Sequence, residues 1–351
     1  MFNEPPATAA LFYNAMLTES IAALKLNTFL DNFDAARFNF DGVDRSKEFP
    51  AAQSAFYFDW FMRNHENLFA AYASLANDSS KRLYLHLIAY RLAGHFSVRL
   101  PVDFANYGAE YEAYRAAVKF TPSQLASNGM FGKLKHFDFE YRSHRYRVDC
   151  GALDDYLVRG QYFYRKDGVS ILPETDDTVI DGGAYTGDTG AVFSNAVGPG
   201  GRVFCFDPVA DHLAILEYNV KQFPHANVTV MPYGLSDKNV LAEPLRLNHY
   251  APGFSAGSAK VPLRSIDHLV HNGEIHQIDF VKLDVEGAEM ETLRGARKSI
   301  QRFKPKLAIS LYHKPNDLFE IILYIKAKFP FYSCYVDHYT IHGEETVLYC
   351  Q

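Results

Sequence analysis

The sequence predicts an α/β fold, a doubly wound Rossmann-like sheet ending in an antiparallel hairpin, with a smaller helical N-terminal domain before it. Three observations carry that expectation. From residue 178 onward, short β-branched runs alternate with helical stretches, the pattern of βαβ units and a parallel sheet. In the first third, apolar residues recur instead at helical spacing. A polar or ionisable group also closes four of the five strands expected after residue 178, an arrangement that a purely structural sheet has no need for.

Residues 9–33 and 53–75 read as helices, the second carrying Phe56, Phe61, Leu68 and Tyr72 at helical spacing. Asn77-Asp78-Ser79-Ser80 offers capping side chains for a helix over 81–93, which Gly94 stops. Thr121-Pro122-Ser123 through Asn128-Gly129 is a polar break, and it sets the expected domains at 1–125 and 126–351. After it, 136–141 and 145–148 alternate as a hairpin around Arg142-Ser143-His144. The parallel strands fall at 178–180, 202–206, 228–231, 280–283 and 307–311. Helices are expected at 186–195, 211–223, 265–272, 288–303 and 315–329. Two closing strands, 331–336 and 346–349, are joined by a turn near Gly343.

Composition bounds the function. The chain has 351 residues, 48% of them hydrophobic and 22% charged, which excludes wholesale disorder. Its net charge of −6 and pI near 6.2 argue against nucleic acid as the partner. No segment offers the ~20 consecutive apolar residues of a membrane helix, so no membrane partner is expected. The apolar stretch 7–30 carries Glu19 and Lys25, follows Pro5-Pro6, and reads as a soluble helix rather than a signal peptide. Cys150, Cys205, Cys334 and Cys350 are widely spaced, fit a reducing compartment, and point to the cytoplasm. An aromatic content of 15% fits core packing, with sugar stacking as the alternative.

In a doubly wound sheet, ligands bind beyond the carboxyl ends of the strands. Here those ends are Asp181 with the loop Gly182-Gly183-Ala184-Tyr185-Thr186-Gly187, then Asp207-Pro208, Asp284-Val285-Glu286-Gly287, and Tyr312-His313-Lys314. A dinucleotide loop wants G-x-G-x-x-G, but the middle glycine of the nearest frame is Ala184. Asp181 before the loop would repel a pyrophosphate and suits a cofactor with a cationic amino group. Asp207, at the second strand end, stands where an acid accepts both ribose hydroxyls. Together the two acids describe S-adenosylmethionine better than NAD.

The runs Val-Ile-Asp-Gly-Gly-Ala-Tyr-Thr-Gly-Asp-Thr (179–189), Phe-Cys-Phe-Asp-Pro (204–208), Gly-Leu-Ser-Asp (234–237), Val-Lys-Leu-Asp-Val-Glu-Gly-Ala-Glu (281–289) and Tyr-His-Lys-Pro-Asn-Asp-Leu (312–318) resemble FkbM-type S-adenosylmethionine-dependent methyltransferases. The resemblance covers roughly the last half of the chain, and Lys282-x-Asp284-x-Glu286-Gly287-x-Glu289 is its most specific piece. It implies a class I methyltransferase sheet and a cofactor pocket shaped by Asp181, Gly183 and Gly187. Asp207 would hold the ribose, Leu235 and Ser236 would border the adenine, and Asp284 would lie beside the methionine part or the acceptor. Transfer to oxygen follows from the same resemblance, with transfer to nitrogen left open.

Several side chains keep two readings. His313 is either the base that takes an acceptor hydroxyl's proton, its ordinary pKa near 6.5 being suited to that, or a loop histidine bonded to backbone. Asp284 either orients or deprotonates the acceptor, or caps the helix that follows. Tyr185 packs on the cofactor or only on protein. Lys282 shares a strand face with Asp284 and needs a carboxylate partner. Glu286 and Glu289 favour the dipole of the helix they open. Gly253–Gly257 is either a lid or a plain surface loop. No metal ligand set is indicated. The expected activity is O-methylation of a small-molecule or glycan hydroxyl, with homo-oligomerisation through the N-terminal domain. The alternatives are an NAD-dependent oxidoreductase and a non-catalytic binding module.

Overall fold

The computed structural model of the chain describes residues 6–24, 51–102, 107–125, 133–244 and 260–351. In chain order its first elements are α1 (Ala9–Leu24), α2 (Ala51–Ala73), α3 (Asp78–Ala93), α4 (Gly108–Ala117), β1 (Phe120–Pro122), β2 (Lys135–Tyr141), β3 (His144–Cys150) and α5 (Asp154–Leu157). A short pair, β4 (Tyr164–Lys166) and β5 (Val169–Ile171), precedes the alternating part. That part runs β6 (Thr178–Gly182), α6 (Asp188–Val197), β7 (Arg202–Phe206), α7 (Ala210–Val220), β8 (Val228–Met231), β9 (Gly234–Leu235), β10 (Val240–Pro244) and β11 (Lys260–Arg264). It continues with α8 (Ile266–His271), β12 (Phe280–Leu283), α9 (Glu289–Gly295), α10 (Arg297–Phe303), β13 (Lys306–Ser310), α11 (Asp317–Lys328), β14 (Cys334–His338) and β15 (Thr346–Cys350). None of the described helices is long and apolar enough to cross a membrane.

The chain divides into two compact units. The first is Met1–Asp103 with Lys314–Leu348, and the second is Phe104–His313 with Tyr349–Gln351. In the first, α1 buries Phe12, Met16, Ser20 and Ala23, a helical stripe of one face. Phe12 meets Tyr72 and Phe69 of α2 with ring centroids 5.5 and 5.7 Å apart. The Asn77 side chain accepts from Ser80 N to start α3, and Gly94 at φ +83° ends it. The Trp60 indole donates to Asn316 at 2.8 Å, and the Tyr84 hydroxyl donates to the Leu318 carbonyl at 3.1 Å, so α11 packs among these helices. Ser80 holds β14 through its Oγ, which accepts from Val336 N at 3.0 Å. In the sheet β14 lies beside β15.

The second unit contains the parallel strands, in the order β13-β12-β6-β7-β8. Every residue of β12 is buried, as are all but the first of β6, β7 and β13, because helices cover both faces of such a sheet. The β2–β3 hairpin turns at Arg142 and Ser143, both at positive φ, and β1 pairs antiparallel with β2.

All five parallel strands expected from the sequence are present, with ends within two residues of those expected. The helix expected over 288–303 is two helices, α9 and α10, separated at Ala296. The units do not divide at 125/126. Residues 120–122, which overlap the start of the expected polar break at Thr121, form an edge strand, where Pro122 is tolerated. Helix α11 and strand β14, expected with the C-terminal domain, belong instead to the helical unit, since the apolar faces of α2 and α3 bury against them. Residues 126–129 of the break, the helix extension to 33 and the Gly253–Gly257 loop lie outside the described residues.

Phe12 is fully buried against three aromatic rings. Phe12→Ala should therefore cost about 3–5 kcal/mol. Urea unfolding followed by circular dichroism should show a clear fall in midpoint with the native spectrum retained.

Candidate active site

The site begins with strand register. On adjacent parallel strands β12 and β6, Lys282 stands opposite Asp181. The lysine is 1% exposed and the aspartate is fully buried, so neither charge is stable without the other. Lys282 Nζ lies 3.1 Å from Asp181 Oδ1 and donates to the carbonyls of Gly182 at 3.1 Å and Gly183 at 2.8 Å. The two carbonyls are its hydrogen-bond acceptors, and Asp181 balances its charge. Burial alone would lower the lysine's pKa, but Asp181 and Asp284 outweigh it and raise it. Thr189 Oγ1 donates to the other Asp181 oxygen at 2.7 Å. Asp181, expected from the sequence to suit a cofactor's amino group, is here fully buried against Lys282 and Thr189. The period of two brings it face to face with Lys282, which takes its charge, and the expected repulsion of a pyrophosphate by Asp181 loses its force with it.

The glycine loop is shaped by the same strands. Gly183 has φ +77°, and a Cβ there would lie 1.8 Å from the Asp284 carbonyl oxygen. Gly187, at φ +94°, opens α6 against Leu216. The backbone between them turns back onto β7, where the N–H groups of Gly183 and Ala184 both donate to the Phe206 carbonyl at 2.9 Å.

At the end of β7, Asp207 is 5% exposed and tightly held. Its Oδ2 accepts from Tyr185 N at 3.2 Å, its Oδ1 accepts from Val209 N at 2.8 Å, and His212 Nδ1 lies 3.1 Å from Oδ1. The Tyr185 ring stands edge-on to His212 with centroids 4.4 Å apart. The Tyr185 backbone, at φ +47°, serves to orient Asp207. Leu235 packs beside Gly182, and the Ser236 hydroxyl is engaged in its own turn with Asp237 and Lys238.

The end of β12 carries the densest chemistry. Asp284 accepts from the Tyr162 hydroxyl at 2.9 Å and from the Tyr312 hydroxyl at 2.8 Å. Burial would raise its pKa, but His313, Lys282 and the Tyr312 hydroxyl hold it below the usual carboxylate value. His313 is almost fully buried. Its Nδ1 lies 2.9 Å from Glu289 Oε1, and its Nε2 lies 3.5 Å from Asp284 Oδ1 and 3.6 Å from Glu286 Oε2. Burial alone would lower its pKa; Glu289, Asp284 and Glu286 overcome that and raise it to about 10. The expectation of a histidine poised near its ordinary value is thereby corrected. The ring is an imidazolium at neutral pH, because three carboxylates surround it.

One ligand atom from each of Asp284, Glu289 and His313 lies within 4.8 Å of the others, a grouping that the spacing along the chain did not indicate. Sequence reasoning also passed over Tyr162, His212 and Thr189. His212 had a signal, five residues after Asp207 at the start of a helix. Tyr162 had none, since it reaches the site from outside the alternating part of the chain.

Residues 181–330 match the family model described as Methyltransferase FkbM domain. Among characterised proteins, the hexuronic acid methyltransferase AglP of Haloferax volcanii is 32% identical over 132 residues, which are 36% of this chain and 53% of that protein. The chain thus spans about half the length of this relative. The crystal structure of the methyltransferase FkbM from Methylobacillus flagellatus superposes with a TM-score of 0.54 at 21% identity, covering 83% of this chain and 60% of that one. That likeness shows the same fold.

Two outcomes follow from the geometry. Gly183→Ala combines a left-handed backbone with a Cβ that overlaps the Asp284 carbonyl. Its cost should exceed the roughly 1–2 kcal/mol of a left-handed residue alone, read as a lowered urea midpoint. His313 has a folded-state pKa raised to about 10, above an unfolded value of about 6.5. Its stabilisation is complete below the unfolded value and is lost as pH rises through the folded one. The midpoint gap between wild type and His313→Gln should be wide at pH 6 and close as pH approaches 10. A gap that widened with pH would contradict the assignment.

Proposed function

We propose that this chain, whose residues 181–330 form an FkbM methyltransferase domain, transfers the methyl group of S-adenosylmethionine to an oxygen of a small-molecule or glycan acceptor. The observation that carries this reading is Asp207, a buried acid at the end of the second parallel strand, fixed by two backbone N–H groups. A carboxylate has about four lone-pair sites and three are engaged here, so capacity remains on Oδ2 for a ribose hydroxyl, the group an acid at this strand end serves. The donor set at the end of β12 supports a cationic ligand. Asp284, Glu286 and Glu289 surround one imidazolium, and the nearby ammonium of Lys282 is matched by Asp181. The surplus is negative, which favours a sulfonium over a pyrophosphate. Similarity to a hexuronic acid methyltransferase supports a glycan acceptor. Four buried thiols support a reducing compartment, the cytoplasm.

When bound, S-adenosylmethionine supplies an electrophilic methyl group. The protein's part is to hold the acceptor oxygen in line, and well-oriented groups gain roughly 7–11 kcal/mol in model reactions. Asp284, fixed by Tyr162 and Tyr312 and held as a carboxylate, is the group suited to orient that oxygen and to take its proton as the methyl group arrives. His313 already carries its proton at neutral pH, so its part is to hold Asp284, Glu286 and Glu289 together rather than to act as base.

Calorimetry with S-adenosylhomocysteine tests the reading. Wild type should bind it, and Asp207→Ala should bind roughly ten- to a hundredfold more weakly, the equivalent of a lost charge-assisted hydrogen bond of about 1.5–3 kcal/mol. Binding of NAD without binding of S-adenosylhomocysteine would overturn it. Once an acceptor is in hand, kcat should show no ionisation near the ordinary histidine value that disappears in His313→Gln.

A further inference from the structure

We propose that the His313 cluster is a divalent metal site, in which the ion displaces the Nε2 proton of His313 to solvent and is held by His313 Nε2, Asp284 and Glu286, with Glu289 as the carboxylate that orients the histidine. The geometry points to an ion rather than to hydrogen bonds alone. His313 Nε2 stands 3.5 Å from Asp284 Oδ1 and 3.6 Å from Glu286 Oε2. Both separations exceed the usual N–H···O range of about 2.7–3.2 Å. Donors at about 2.0–2.2 Å from a zinc ion in tetrahedral array stand roughly 3.4 Å apart, close to both distances.

The other ring nitrogen supplies an independent observation. Nδ1 lies 2.9 Å from Glu289 Oε1 as an ion-pair contact, on the side of the ring away from the proposed ion, where carboxylates orient metal-ligating imidazoles. Glu289 is itself immobilised, since the same oxygen accepts from Val285 N at 2.9 Å and Gly287 N at 3.4 Å. Its second oxygen, Oε2, is fully buried and has no hydrogen-bond partner among the described residues. An unsatisfied carboxylate oxygen in a buried site is costly unless a positive charge stands near it. Asp284 is supported in turn by the hydroxyls of Tyr162 and Tyr312, as ligating carboxylates commonly are.

One imidazole nitrogen and carboxylate oxygens, with no thiolate, are the donor set of Zn²⁺ or Mn²⁺. Three protein ligands leave a coordination position open, the arrangement of a catalytic rather than a structural site. That position would take an acceptor oxygen and polarise it. This role rests on the methyltransferase reading; the binding itself does not.

The experiment uses the full chain, dialysed against EDTA and then into chelator-free buffer. It is titrated with ZnCl₂ by calorimetry and with MnCl₂ by electron paramagnetic resonance. One ion of either kind should bind per chain. His313→Ala and Asp284→Asn should each weaken binding at least tenfold, and Glu289→Gln should weaken it by about 10–100-fold, with circular dichroism confirming a folded chain. If one variant fails to fold, the others carry the comparison. Absence of saturable binding to folded wild type at millimolar metal would overturn the proposal, as would affinities unchanged in all the folded variants. A parallel titration with S-adenosylhomocysteine separates the two claims. Cofactor-product binding without ion uptake removes the metal site and leaves the methyltransferase, while ion uptake without that binding does the reverse.

Discussion

The buried pair Lys282–Asp181 is the constraint on which the rest of the site depends. A lysine in the middle of a parallel sheet has no water to turn to, so each ammonium proton must find an oxygen within the fold. Two of them go to the carbonyls of Gly182 and Gly183, and the charge is balanced by the Asp181 carboxylate 3.1 Å away. The glycine loop therefore leaves β6 in a direction set by a charge on β12. With Gly183 pressed onto the Asp284 carbonyl, the two strand ends are locked to each other. The ammonium also stands 5.3 Å from the Tyr162 ring, whose hydroxyl bonds Asp284, so one buried cation organises the elements that carry the acid cluster.

The electrostatics of the site follow from what that pair consumes. With Asp181 matched by Lys282, the remaining strand-end acids are at the ends of β7 and β12. Asp207 is rigid because backbone donors hold it, and the β12 cluster is rigid because an imidazolium and two tyrosines hold it. A site built this way is preorganised for positive charge, and it needs little reorganisation when such charge arrives.

Much of this was legible in the sequence. The parallel strands were, because β-branched runs bounded by turn residues have few other ways to be buried, and so was the importance of Asp207, Asp284 and His313, because strand ends collect ligands. The need of Lys282 for a carboxylate was legible too, but which carboxylate was not. A period of two says which face a side chain takes; only the register between β12 and β6 says that the partner is Asp181. The state of His313 was hidden for a similar reason. Glu286 and Glu289 read as residues favouring a helix dipole, and nothing in their spacing shows that one abuts the histidine's Nδ1 and the other faces its Nε2. Domain limits depend on longer-range packing still. Helix α11 is separated from α2 by most of the chain, yet Trp60 bonds Asn316 and packs on Phe319.

The most direct test of this account is a double-substitution cycle on the buried pair, followed by urea unfolding. Lys282→Met alone leaves Asp181 buried and unpaired, and Asp181→Asn alone leaves Lys282 so; each should cost about 3–5 kcal/mol. The double variant removes both charges and keeps an acceptor for Thr189, so it should cost no more than either single change. Costs that simply add, or single variants close to wild type, would contradict the claim that this pair fixes the glycine loop.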